Sequence, residues 1–193
     1  MTETTPAQVL AFWFGEPGAP EQGQPRSLWF TKSEATDALI RNRFAAAVEA
    51  ALGGQLERWA DGHPRDALAL ILLLDQFTRN IHRDTARAFA GDARALAVAR
   101  RLVAEGRDRQ LVPLERWFAY LPFEHSEQIA DQHESLRLCE SLAREGLAEP
   151  LVWARKHYEV IERFGRYPHR NELLGRPSTA MEIEFLKQPG SRF

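Results

Sequence analysis

Apolar residues recur every three to four positions along nearly the whole chain, and no stretch alternates with period two for long enough to make a sheet. A chain patterned this way must bury one stripe of each helix against other helices, so the predicted fold class is all-α. Val9, Leu10, Trp13 and Phe14 follow Pro6 and give a first helix that ends at Gly15. Residues 15–28, GEPGAPEQGQPRSL, hold three prolines and three glycines and read as a long loop. Thr31-x-x-Glu34 has the spacing of a capping box and opens a second helix, with Leu39, Ile40, Phe44, Val48, Ala51 and Leu52 inward and Gly53-Gly54 as its stop. Pro64 starts a third helix. A fourth follows Gly91-Asp92 and ends at Gly106, and a fifth runs from Pro113 to Tyr120 and breaks before Pro122. A sixth covers Glu127 to Glu145, a seventh Pro150 to Phe164, and Asn171 caps a single turn. Thr179-x-x-Glu182 caps a last helix through Leu186.

Short connections make sequential helices antiparallel neighbours, so the expected architecture is about eight helices stacked as hairpins and closed into a compact globule. With 193 residues and no convincing linker, residues 1–193 are expected to form one all-α domain. The ~34-residue tetratricopeptide pattern has no clean copy here. Lys plus Arg total 25 against 27 for Asp plus Glu, a balance that argues against nucleic-acid binding. The one cysteine, Cys139, excludes an intrachain disulfide and any multi-cysteine metal site, and its place beside Ile129, Leu136 and Ala143 reads as a buried inert thiol. The longest apolar run, Ala67 to Leu74, is far short of the ~20 residues a membrane span needs. The N-terminus lacks a basic segment and an apolar signal core, so a soluble cytoplasmic protein is expected.

The third helix changes character midway. Ala67 to Leu74 is apolar all round, and then Asp75, Gln76, Arg79, Asn80, His82 and Arg83 fall in one arc opposite Phe77 and Ile81. The arc continues the line of Leu68 and Leu72, so the polar stripe is expected to begin inside the protein, at the mouth of a cavity. Asp75 and Arg79 have the spacing of an ion pair. A structural network locking this helix to its neighbours is an equal reading.

Two further stretches carry chemistry. In WFAYLPFEHSEQIADQ, residues 117–132, Pro122 stops a helix and Ser126 caps the next, which places Glu124, His125 and Glu127 at a helix N-terminus able to hold an anion. No metal spacing such as H-E-x-x-H is present, and neither a metal nor a cofactor is expected. In RFGRYPHRNELLGRPST, residues 163–179, Gly165 ends a helix and Arg166, His169, Arg170 and Asn171 crowd a proline-stiffened turn suited to carboxylate or phosphate. The same arginines could instead pin the C-terminal segment to acidic residues. If a reaction occurs, His125 or His169 is the candidate proton carrier. Trp13, Phe14, Trp29 and Phe30 read as core, or as walls of a pocket under the 15–28 loop.

Together VLAFWFG, LLDQFTRNIHR, YLPFEHSE and RFGRYPHRNELLGRPST resemble the bacterial domain-of-unknown-function family number 924 over nearly the whole chain. The resemblance implies an all-α, tetratricopeptide-like superhelix and implies no reaction. Ala180-Met181 stand before Glu182, where the family pattern has an acidic pair beside the Ser-Thr. Two functions follow as expectations. In the first, Asp75, Gln76, Arg79, Asn80, Arg83, Glu124, His125, Glu127, Arg166, His169, Arg170 and Asn171 surround one inter-helix cavity that takes a small anionic ligand. In the second, a tetratricopeptide-like interaction module grips an acidic peptide. No membrane partner is expected in either.

Overall fold

The computed structural model describes residues 4–192 and contains no strand among them. They group into two compact units. The first comprises the described residues up to Arg83 together with Arg87–Pro122, and the second comprises Asp84–Ala86 and the described residues from Phe123 onward.

In the first unit, α1 (Pro6–Phe14) is capped by Thr5, whose hydroxyl and backbone N–H are exchanged with Gln8. The proline- and glycine-rich loop then folds back onto the end of this helix. Gly15 has φ +97°, and a Cβ there would stand 2.9 Å from Gln22 N, so only glycine allows the return. Gly23 donates to Phe14 O at 3.2 Å, and Arg26 Nη1 and Trp29 Nε1 reach Trp13 O at 3.1 and 2.9 Å. Trp13, Phe14, Trp29, Phe44, Phe77 and Phe118 form the aromatic core beneath, with Trp29 and Phe118 centroids 4.8 Å apart.

The second helix, α2 (Glu34–Leu52), opens one residue before Glu34 and not at Thr31. Ser33 Oγ accepts from Thr36 N, whereas Thr31 is already engaged in the preceding turn through its N–H to Ser27 O. Ile40, Phe44, Ala47, Val48 and Ala51 set the buried stripe, and Leu39, expected inward, is rotated out of it and is 48% exposed. A short α3 (Arg58–Asp61) follows, which the sequence pattern did not indicate. Then α4 (Pro64–Ile71) begins with proline at its first position, as expected, and is capped by His63 Nδ1.

Residues Leu72–Phe77 form a π-helical turn before α5 (Thr78–Ile81) resumes. Thr78 N–H bonds back to Leu73 O, and the Thr78 hydroxyl donates to the same carbonyl at 2.8 Å. The widened turn lies against Gly91, the residue before α6 (Asp92–Ala104). Next, α7 (Pro113–Glu124) runs straight through Pro122, where a break was expected. Proline removes one backbone donor there, but it sits within the last turn, where few further helical bonds depend on it.

In the second unit, α8 (Ile129–Arg144) packs along α9 (Glu149–Phe164). Ser126 does not cap α8 directly. It receives Gln128 N and donates to Asp131, so the helix starts after Gln128 and Ile129 is left 43% exposed. Gly165, at φ +68°, ends α9 as expected, and a 3₁₀ turn over Pro168–Arg170 follows. The Thr179–Glu182 capping box opens α10 (Ala180–Phe185), whose Phe185 packs on Phe164 at 5.0 Å.

Candidate functional site

The residues expected around one cavity divide by unit: Asp75, Gln76, Arg79, Asn80 and Arg83 belong to the first, and Glu124, His125, Glu127, Arg166, His169, Arg170 and Asn171 to the second. Within the first unit, the stripe does begin in the interior, since Asp75, Gln76 and Asn80 are buried. Its charges meet protein carboxylates. Arg79 contacts Asp75 Oδ1 at 3.1 Å and forks onto Asp92 at 2.8 and 3.1 Å, while Gln76 donates to the other Asp75 oxygen at 2.6 Å. Asn80 and Arg83 converge on Asp37, at 2.7 Å from Asn80 and at 2.6 and 2.8 Å from Arg83. Burial works against ionisation of Asp37, yet Arg83 and Asn80 outweigh it and hold its carboxyl below the usual range.

The second unit collects its polar groups about Tyr167. Gly165 and Pro168 bracket this residue, so the chain reverses after α9 and turns the ring inward, fully buried. The phenol donates to Glu124 O and accepts from Gln132 Nε2 at 3.0 Å. The same Gln132 amide lies 2.8 Å from Glu124 O and 2.7 Å from Ser126 O, tying α8 to the end of α7. Burial raises the Tyr167 hydroxyl far above its usual range, so it acts as a neutral donor.

Two histidine rings flank this phenol, and a third lies beyond one of them. The His157 centroid lies 5.6 Å from Tyr167 and 6.2 Å from His125, and His169 lies 5.6 Å from Tyr167 on its own turn. The Arg170 guanidinium sits over the Tyr167 ring at 4.5 Å. His157 Nδ1 faces Trp153 O at 2.9 Å and Glu124 Oε1 at 3.2 Å. Two acceptors on that nitrogen place the proton there, so the neutral ring presents Nε2 as an acceptor. Burial, then the neighbouring His125, Arg170 and His169, push His157 down to about 3. It is therefore a neutral positioning group at neutral pH and no proton carrier. His125 and His169 are only partly buried.

The remaining arginines of the basic turn meet internal acids. Arg166 forks onto Glu182 at 2.6 and 2.8 Å and holds that carboxyl down at about 2. Arg176 forks onto Glu127 at 2.7 and 2.9 Å, and Glu127 also accepts Tyr167 N at 2.8 Å. Asn171, buried, accepts from Arg176 and donates to Ser178. These bonds fasten the 166–179 segment to the 124–127 turn. Sequence reasoning passed over His157, Gln132 and Tyr167. The signal for His157 was present, because it interrupts the apolar stripe of Ala154, Val160 and Ile161 on α9. Cys139 is buried, and burial raises its thiol well above the usual range. Among the described residues no group of three or more His, Cys, Asp or Glu side chains could hold a metal, and no helix is long and apolar enough to cross a membrane.

These features define an all-helical protein whose polar cluster lies beside a helical hairpin. The model of a bacterial protein family of unknown function, DUF924, matches residues 9–190, and the chain belongs to that family. It is similar to the solved structure of ATU0120, a protein of unknown function from Agrobacterium tumefaciens, with 37% identity and a TM-score of 0.80. The match covers 94% of this chain and 96% of that one. No curated protein matches.

Proposed function

We propose that the second unit binds a small anion, a carboxylate or phosphate, at the cluster around Tyr167. The observation that carries this reading is the composition of the cluster. His157, His169 and Arg170 are set about one phenol, His125 lies against His157, and Glu124 faces His157. The depressed His157 titration supports it, because burial first, and then the neighbouring His125, Arg170 and His169, oppose a positive charge on this ring. Arg170 and Tyr167 are buried, and the partly exposed His125 and His169 are the groups able to meet a ligand and exchange a proton with it.

The test is thermal unfolding in phosphate, sulfate, acetate and citrate against chloride at matched ionic strength. A bound anion at ~100 times its Kd adds ~2.7 kcal/mol. Arg170→Lys should erase this gain, because lysine loses the planar fork. Since Arg170 is buried over the Tyr167 ring, the variant also unfolds at a lower temperature in chloride, and the gain is read for each protein against its own chloride value. Arg166→Lys should leave the gain intact, because Arg166 is engaged with Glu182. An equal response of wild type and Arg170→Lys to every anion overturns the reading.

A second reading, a tetratricopeptide-like module for acidic peptides, is favoured by one observation. On the α8–α9 hairpin, Val152 and Trp153 are exposed and Lys156 lies over the indole at 4.2 Å. Peptide binding that survives Arg170→Lys and fails in Trp153→Ala would support that alternative.

A further inference from the structure

The first unit contains a cleft of about 680 Å³ between the end of α1, the folded-back loop and the first turns of α4 and α7. Its floor is apolar, made by Leu10, Ala11, Phe14 and Leu114. Its volume falls in the range typical of small-molecule sites. The wall formed by the loop is built in place, because Gly15 permits the return of the chain and Gln22 Oε1 accepts Gly18 N at 2.7 Å.

The polar side of the cleft is unevenly satisfied. Asp66 and His63 are committed to capping α4, through Asp66 Oδ2 on His63 N and His63 Nδ1 on Arg65 N. Glu115 is different. The residue is 8% exposed, and Oε1 of its carboxylate stands 3.1 Å from the tip of Arg65, a side chain that is itself 45% exposed. The rest of the carboxylate faces the cleft, whose lining includes Glu115 and Arg65 together. Arg65 offers the reciprocal surplus, with guanidinium N–H groups beyond the one that meets Glu115. An acceptor and a donor thus stand side by side above an apolar floor.

We propose that this cleft binds a free apolar α-amino acid as its zwitterion, with Glu115 taking the ammonium, Arg65 the carboxylate, and the α1 floor the side chain. Because the two protein charges are 3.1 Å apart, they suit an ammonium and a carboxylate carried on one carbon, not charges spaced along a peptide. The site is independent of the anion cluster, whose residues all belong to the second unit.

The test is calorimetric titration of the full chain with L-phenylalanine, with phenethylamine and hydrocinnamate, each of which lacks one charge, and with a phenylalanyl-glycine dipeptide. L-phenylalanine should bind more tightly than any of the other three by about tenfold or more, the scale expected when one partner of a desolvated charge pair is removed. Glu115→Gln and Arg65→Gln should each weaken L-phenylalanine by a similar factor, and Ala11→Trp should abolish binding by filling the floor. Arg65 is exposed enough that its variant keeps the fold even if Glu115→Gln does not. Equal binding of either single-charge analogue or of the dipeptide overturns the proposal, as does the absence of L-phenylalanine binding or its persistence in Ala11→Trp.

Discussion

Gly91→Ala should be among the most damaging single-methyl substitutions in this protein. The residue has φ −92°, which any amino acid tolerates, so backbone conformation does not require glycine there. What requires it is contact. A Cβ at Gly91 would stand 2.0 Å from Leu74 O and 2.8 Å from Leu74 C, inside the π-helical turn. Backbone cannot swing aside as a side-chain tip can, so the start of α6 must retreat by more than an ångström. Overpacking of this kind costs ~1–3 kcal/mol. The retreat also carries Asp92 away from Arg79, whose fork at 2.8 and 3.1 Å has little slack, and a charged hydrogen bond adds ~1.5–3 kcal/mol. The expected total is ~2.5–6 kcal/mol, or a fall in unfolding temperature of roughly 5–24 °C for a chain of this size. Urea unfolding measures it, with Gly106→Ala as the control. Gly106 has φ +66° and open space around a Cβ, so alanine there costs only the left-handed conformation, ~1–2 kcal/mol. A double-mutant cycle with Asp92→Asn separates the two contributions, since the second substitution should cost much less once Gly91→Ala has loosened the fork. If Gly91→Ala is no worse than Gly106→Ala, or if the two substitutions are additive, the reasoning fails.

His157 should remain neutral with its proton on Nδ1 from pH ~5 to ~8, the interval in which an ordinary histidine changes charge, and ¹⁵N chemical shifts of the ring check this. Tyr167→Phe removes the hydroxyl that joins Glu124 O to Gln132 and should destabilise the protein by ~1–3 kcal/mol, read from urea unfolding. The Glu182 carboxyl is depressed to about 2 in the folded protein, so the unfolded chain binds more protons between that value and the ordinary 4.5. Its contribution is therefore complete above that window and lost as pH falls through it; Glu182→Gln should flatten this part of the acid-stability curve and leave its slope above pH ~6 alone.

Helix content was legible wherever an apolar stripe and a local stop coincided. Gly165 after α9, Pro64 at the start of α4 and the Thr179–Glu182 box are local devices, and each acts where the pattern placed it. The errors arose where two local signals competed. Thr31 had the spacing of a cap, but the turn from Ser27 engages its N–H and Ser33 caps the helix instead. Pro122 reads as a stop, but a proline in the last turn removes little. The π-helical turn could not be read at all. Leu72 to Phe77 fit an α-helix equally well, and the close approach of Gly91 to Leu74, which accompanies the widened turn, comes from residues far along the chain.

The same limit governs the polar residues. The Asp75–Arg79 pair was legible from its spacing of four, but the more distant carboxylates that Arg79, Arg83, Arg166 and Arg176 meet were not, because Asp92, Asp37, Glu182 and Glu127 lie 13, 46, 16 and 49 positions away. Once those partners are known, the four arginines act as fasteners within their units, since a bidentate carboxylate occupies the fork that an external anion would use. Arg170 adds a contact of another kind, because its guanidinium lies over an aromatic face, 4.5 Å from the Tyr167 centroid. His157, hidden in an apolar stripe, shows the complementary case. A polar residue that breaks a buried pattern without a sequence-adjacent partner marks a network closed by tertiary contact, and here that network is the one the proposed anion would join.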